Sequence, residues 1–210
     1  MIHVPDPPLT DGVVALRPWR HNDIAPLVEC LDGDEEITRW LDMIPQPYGA
    51  AEARTWVDQA TQLWREGTAA PFAVTATDSG ELIGSVGFRW IGEEQGVGEV
   101  GYWLRREARG RGLSARAVRL VSEWVFGALG CQRLQLRADK DNGPSLRVAE
   151  KAGFRREGVL RAVHYNPRVN RRVDYVMYSL LPADLQLPDG IAKDRNPLSV
   201  RSDSRHVDLG

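Results

Sequence analysis

The chain has few of the residues that build disulfide frameworks or metal sites. Its 210 residues include two cysteines, Cys30 and Cys131, which lie far apart in sequence, and four scattered histidines. Two such cysteines exclude the disulfide framework of a small secreted protein and favour a reducing compartment. Because the histidines and cysteines also lack the regular spacing of zinc ligands, we predict no metal site.

An excess of charge and long apolar runs are also missing. The formal net charge is −2, so no global field attracts nucleic acid or a membrane surface. No apolar run is long enough to cross a bilayer, and the N-terminus does not have the pattern of a signal peptide. We therefore expect a cytoplasmic protein with neither a nucleic-acid nor a membrane partner.

The length of the chain suits one domain with a real core. We predict a loosely held, proline-rich arm at residues 1–10, a domain at residues 11–182 and a polar, flexible tail at residues 183–210. The apolar patterns of the domain follow the order β, α, α, β, β, β, α, β, α, β, β. This order predicts a single α/β (α+β) domain, with a mixed, mostly antiparallel sheet of seven strands and helices on both faces.

The most informative stretch runs from Gly98 to Val125 and has the pattern of a strand, a glycine turn and a helix. The strand is indicated by β-forming residues, namely Val100, Tyr102, Trp103 and Leu104. The turn is Arg109-Gly-Arg-Gly112, and the apolar residues after it recur at helical spacing. Two glycines before a helix let backbone N–H groups approach an anion, which the helix N-terminus also favours. The stretch therefore predicts a phosphate or pyrophosphate site.

The glycine turn also fits two alternative interpretations. It could simply be a tight turn that starts a helix. Gly110-x-Gly112-x-x-Ala115 also fits the dinucleotide fingerprint of nicotinamide oxidoreductases, although the acidic residue that would bind the ribose, Asp139, comes late. A P-loop is excluded because the sequence has no Gly-x-x-x-x-Gly-Lys-Ser/Thr.

The same stretch resembles the cofactor motif of the GNAT acyltransferases, Arg/Gln-x-x-Gly-x-Gly/Ala at the start of a helix. Further segments are similar to the RimJ/RimL branch, which acetylates ribosomal-protein N-termini: Leu16-Arg-Pro-Trp-Arg20, Asn142-Gly-Pro-Ser145, Glu150-Lys-Ala-Gly-Phe154, Glu157-Gly158 and Arg172-Val-Asp174. The resemblance covers residues 13–181. One departure is Glu107, which stands where the stricter motif has Arg or Gln.

The resemblance implies an acyl-coenzyme A cosubstrate, either acetyl- or succinyl-coenzyme A, and a primary amine acceptor such as a protein N-terminus. It also implies a slot for the pantetheine where two strands separate beside a bulge, which Gly98 and Gly101 would allow. The residues that would bind the coenzyme are Val100, Gly101, Tyr102, Trp103, Leu104, Arg109, Gly110, Arg111, Gly112, Leu113, Ser114, Asn142 and Lys151. A catalytically silent coenzyme-binding protein and a homodimer both remain open.

Acyl transfer to an amine needs a base for the ammonium and an acid for the leaving thiolate. In the resembled enzymes a glutamate stands where Glu99 does, so Glu99 is the candidate base, with a pKa raised toward neutrality by partial burial. The alternative is a solvated glutamate at a strand end. Ser145 is the candidate acid, although a serine near a helix start is also an ordinary cap. Tyr165 and Tyr175 are reserve hydroxyls.

Overall fold

A computed structural model describes residues 2–185 of the chain. The strands are β1 (Leu9–Thr10), β2 (Val14–Pro18), β3 (Ala69–Ala76), β4 (Leu82–Gly92), β5 (Val97–Leu104), β6 (Arg133–Asp139), β7 (Arg155–Asn166) and β8 (Arg171–Leu180). The α-helices are α1 (Ile24–Leu31), α2 (Glu35–Trp40), α3 (Ala50–Glu66), α4 (Leu113–Ala128) and α5 (Gly143–Lys151). Of the predicted tail, residues 186–210 lie outside the described residues.

The strands form one mixed sheet in the order β1-β2-β3-β4-β5-β6-β8-β7. All neighbours are antiparallel except β5 and β6, which are parallel, so the predicted fold class is confirmed. The sheet has eight strands in the described residues, and the prediction of seven was wrong. The additional strand is β1, where Leu9 pairs with Leu16. A two-residue strand is too short to show a period of two in the sequence.

The N-terminal segment is held more firmly than predicted. Besides the pairing of β1, Ile2 is buried and belongs to the main apolar cluster of the protein. An apolar side chain anchored in the core opposes the fraying that is usual at chain ends.

Helices cover both faces of the sheet, as predicted. On one face, α4 and α5 pack on the alternate strand residues that form the main cluster, including Val100, Leu104, Leu134 and Leu136. On the other face, α1 and α3 form a second cluster with Ala73 and Leu82 of β3 and β4. None of the described helices is long and apolar enough to cross a bilayer.

Strands β5 and β6 pair over a short distance and then separate. The ladder contains Val97 with Arg133, Gly98 with Leu134 and Glu99 with Gln135. Beyond this point β5 continues to Leu104 while paired only with β4, where Gly84 lies opposite Leu104. The two strands therefore enclose a V-shaped slot whose apex lies at Glu99.

The irregularity beside the slot is an extra residue in β4 that borders Gly98 of β5. The register shifts between the pairs Trp90–Gly98 and Gly92–Val97, whereas Gly101 is regularly paired with Gly87. Gly98 is also required by packing, because a Cβ there would lie 2.1 Å from Cε2 of Phe88. The glycine makes room for a buried aromatic ring next to the apex.

This packing predicts different results for alanine at the two glycines of β5. Gly98→Ala should destabilise the protein by about 1–3 kcal/mol, because the new methyl group overpacks against Phe88. Gly101→Ala is the matched control, since a Cβ at Gly101 meets nothing within 4 Å. Thermal unfolding of both variants is the measurement, and equal melting temperatures would contradict the packing argument.

Candidate active site

The glycine turn lies in open space between the end of β5 and the start of α4. Gly110 and Gly112 have φ values of +75° and +77°, and a Cβ on either would meet nothing within 4 Å. The N–H of Arg116 donates to the carbonyl of Gly112 at 3.3 Å. The N–H groups of the first helical residues, such as Leu113 and Ser114, have no acceptor within the helix. The turn can therefore present several backbone donors to an anion.

Arg109, predicted as a coenzyme ligand, has partners within the protein. Its Nε donates to the carbonyl of Leu104 at 2.9 Å, its Nη1 donates to Glu36 at 2.7 Å, and its Nη2 forms an ion pair with Asp34. Asp34 caps α2 by accepting from the N–H groups of Glu36 and Ile37. Arg109 thus ties the start of α2 to the end of β5, while its role toward the coenzyme stays a prediction.

Tyr102 and Ser145 meet on the helix-α5 side of the slot. The Tyr102 hydroxyl and Ser145 Oγ share a hydrogen bond of 2.7 Å. Burial raises the pKa of Tyr102 to about 12, although the bond to Ser145 opposes the shift, so the phenol keeps its proton at neutral pH. The cap of α5 is Asn142, whose Oδ1 accepts from the N–H of Ser145 at 3.1 Å. The Ser145 hydroxyl is therefore not used as a helix cap.

The sequence predicted only backbone contacts for Tyr102 and missed its hydroxyl. The available signal was strand alternation, which places Tyr102 on the same face as Val100 and Leu104, the face that α4 and α5 cover. It could not show that Ser145, 43 residues away, lies within hydrogen-bonding distance.

Glu99 lies at the apex of the slot, on the opposite face of β5 from Tyr102. Its side chain is 13% exposed, which excludes the solvated strand-end alternative. Arg89 and Arg137 both donate to its carboxylate. Burial tends to raise the pKa of Glu99, but the bonds and charges of Arg137 and Arg89 outweigh it and hold the pKa below its usual range. The expectation of a pKa raised toward neutrality was wrong.

The sheet face that carries Glu99 also holds one of the two reserve hydroxyls. Tyr175 of β8 stacks on His164 with ring centroids 5.6 Å apart, and His164 Nε2 lies 3.0 Å from Asp42 Oδ2. The other, Tyr165, is half exposed and donates to Asn170 instead. Tyr175 is therefore the reserve hydroxyl that lies near Glu99.

The remaining predicted residues occupy separate positions. Lys151 is exposed in the last turn of α5, and Arg111 is exposed and forms no ion pair with any of residues 2–185. Glu107, where the resembled motif has Arg or Gln, accepts from Nε of Arg105 at 2.9 Å. The negative charge that Glu107 brings to the motif is thus neutralised by an ion pair with Arg105.

Residues 14–155 match the family model described as an acetyltransferase (GNAT) domain. The chain belongs to the GNAT acetyltransferase family. It is 31% identical over 148 residues to an uncharacterized N-acetyltransferase, p20, of Bacillus licheniformis, covering 70% of this chain and 82% of that protein. The protein is accordingly an N-acetyltransferase.

Solved structures share the fold of this acetyltransferase. One is RimL, a ribosomal L7/L12 alpha-N-protein acetyltransferase in complex with coenzyme A, with a TM-score of 0.74, 20% identity, and coverage of 83% of this chain and 96% of that chain. Another is Mycobacterium smegmatis RimJ in complex with CoA-disulfide, with a TM-score of 0.74, 22% identity, and coverage of 88% and 87%. At these identities the likeness shows the fold alone.

The nicotinamide alternative finds no support in these comparisons. Asp139, the residue that it needed as a ribose ligand, is buried at the end of β6 and accepts from the N–H of Asp141 at 2.8 Å. In this acetyltransferase Asp139 shapes a turn.

The contacts of Arg109 predict a stability effect in the protein without ligand. Arg109→Met should cost about 1–3 kcal/mol, because it leaves the buried carboxylate of Asp34 without its cation. Arg111→Met, on the other side of Gly110, is the matched control and should change stability by less than about 0.5 kcal/mol. Urea unfolding measures both. Equal stability of the two variants would mean that Arg109 does not anchor α2.

Proposed function

We propose that the enzyme transfers an acetyl group from acetyl-coenzyme A to a primary amine, with the coenzyme in the slot between β5 and β6. The observation that carries this proposal is the early end of the β5–β6 ladder at Glu99. A free strand edge can pair with amide groups of a ligand as if with an added strand. The solved RimL and RimJ structures were determined with coenzyme A and CoA-disulfide, which supports this choice.

The slot and the glycine turn would bind different parts of the coenzyme. Residues 100–104 and Asn142 would bind the pantetheine amides. The backbone N–H groups at residues 110–114, with the charge of Arg111, would bind the pyrophosphate, since a helix N-terminus attracts anions. Lys151 would meet the 3′-phosphate.

An acetyl donor fits this site better than a succinyl donor. A succinyl group would place a second carboxylate near the apex and would need a free cation there. The two arginines at the apex, Arg89 and Arg137, are both engaged with Glu99. A second anion would therefore compete with Glu99 for them.

The base and the acid of the reaction would lie on opposite faces of β5. Acetyl-coenzyme A would provide the activated thioester. Glu99 accepts a proton from the acceptor ammonium, and the freed nitrogen bonds to the carbonyl carbon and loses its second proton to solvent as the carbon–sulfur bond breaks. Ser145 gives its proton to the leaving sulfur and is reprotonated by Tyr102, whose raised pKa keeps it in the donor form. Tyr102 regains a proton from solvent, and Glu99 releases its proton there. A backbone N–H near Trp103 stabilises the negative oxygen.

The acceptor that we propose is the α-amine of a protein N-terminus. RimL acts on such an amine in ribosomal L7/L12, and its fold matches that of this chain. An unblocked peptide should be acetylated, whereas the same peptide with a blocked N-terminus and a free lysine should react much more slowly. Mass spectrometry of the products distinguishes the two amines, and a preference for the lysine would contradict the assignment.

Coenzyme binding is tested by thermal melting with acetyl-coenzyme A and NAD. At about a hundred times its dissociation constant a ligand adds about 2.7 kcal/mol, which shifts melting by several degrees. We expect a shift with acetyl-coenzyme A that Gly110→Glu removes, because the new carboxylate repels the pyrophosphate. A shift with NAD alone would contradict the proposal.

The catalytic assignment is tested by steady-state kinetics of three variants. Glu99→Gln should lower kcat by about 10²- to 10⁴-fold, the range for a general base, and Ser145→Ala and Tyr102→Phe should lower it less. Tyr165→Phe is the control, because Tyr165 is an exposed hairpin tyrosine. Wild-type kcat in Glu99→Gln would show that Glu99 is not the base.

A further inference from the structure

Glu99 is occupied on both carboxylate oxygens. Its Oε1 accepts from Nε and Nη2 of Arg89 at 3.1 and 2.6 Å and from Nη2 of Arg137 at 3.1 Å. Its Oε2 accepts from Nε of Arg137 at 2.5 Å. Each carboxylate oxygen offers about two acceptor positions, and Oε1 alone accepts three of these four donors, so Oε1 is fully occupied while both arginines are in place.

The charge at this point also opposes an incoming ammonium. Two guanidinium groups around one carboxylate carry a formal net charge of +1, and a third cation would be repelled. The other titratable group that faces Glu99 is Tyr175 of β8, which is neutral at pH 7; its own pKa is raised by burial and by Asp42 and Asp139 beyond it. To receive an ammonium at Oε1, Glu99 therefore has to lose one of its arginines first.

The two arginines are held unequally. Arg137 binds both oxygens of Glu99 as a fork, and its side chain is 32% exposed. Arg89 binds Oε1 alone, and its side chain is 57% exposed. Arg89 also lies next to the register shift in β4 between Trp90 and Gly92. Arg89 can turn into solvent without breaking the fork that orients the carboxylate.

We propose that Arg89 is a displaceable counter-ion whose place at Oε1 of Glu99 the acceptor ammonium takes. This inference rests on the proposed function, in which Glu99 is the base. Arg137 stays bound to Glu99 throughout and is a positioning residue. In the resting enzyme Arg89 keeps Glu99 ionised, and the acceptor must compete with it to reach the carboxylate.

Removing Arg89 should therefore strengthen acceptor binding while making Glu99 easier to protonate. For Arg89→Gln we expect the acceptor KM to fall about fivefold, since one charged competitor is gone. The acid limb of kcat/KM should move up by about one pH unit or more, because the lost cation no longer favours the ionised form. Arg89→Lys keeps the charge but replaces the two guanidinium donors to Oε1 with one ammonium, and should lie between the wild type and Arg89→Gln.

Two other arginines serve as comparisons. Arg137→Gln should lower kcat about tenfold or more, because Glu99 loses its orientation, and should also move the acid limb up, because Arg137 too lowers the pKa of Glu99. Arg133 lies in β6, as Arg137 does, but it pairs with Glu157, away from the slot. Arg133→Gln should leave kcat and the acceptor KM within about twofold of the wild type.

The measurements are pH profiles of acceptor kinetics and a ¹³C NMR titration of the Glu99 carboxyl in the ligand-free protein. An upward shift of both the NMR titration and the acid limb in Arg89→Gln, with a lower KM, supports the proposal. A lower kcat without a lower KM in Arg89→Gln, the pattern expected for Arg137→Gln, would overturn it, because Arg89 would then only orient Glu99. Wild-type kcat in Glu99→Gln would overturn the proposed function itself and is thus a distinguishable result.

Discussion

The separation of β5 from β6 is the constraint on which the rest of the site depends. A strand in the middle of a sheet normally has both backbone edges paired, and β5 keeps this arrangement only as far as Glu99. Its other edge remains paired with β4 up to Leu104, so the strand continues beyond Glu99 with one edge free. The close packing of Phe88 against Gly98 holds the apex in place.

Because side chains alternate along a strand, the polar groups of the site lie on two opposite faces of β5. Glu99 lies on the face with the arginine pair, and Tyr102 lies on the face that contacts α5. The two groups are three residues apart on the same strand. In the mechanism that we propose, a base and an acid would therefore act on opposite sides of a molecule placed along the free edge, and one strand would position both.

The sequence predicted the features that depend on neighbouring residues. The strand before the glycine turn, the turn itself and the helix after it are all local patterns, and the structure confirms them. The mostly antiparallel sheet followed from the order of those elements.

The features that the sequence did not reveal depend on contacts between distant residues. Arg137 and Glu99 are 38 residues apart, and Arg109 and Asp34 are 75 apart. A single sequence contains no signal for such pairs, because an arginine on the surface and one that binds a carboxylate have the same local pattern. For this reason the predicted direction of the Glu99 pKa shift was wrong.

The most direct test of this account is a crystal structure of the protein with coenzyme A. We predict that the pantetheine runs between residues 100–104 and the end of β6, with the sulfur between Glu99 and the Tyr102–Ser145 pair and the pyrophosphate on the turn from Gly110 to Gly112. Coenzyme bound outside the slot, or a β5–β6 ladder that closes beyond Glu99, would contradict it.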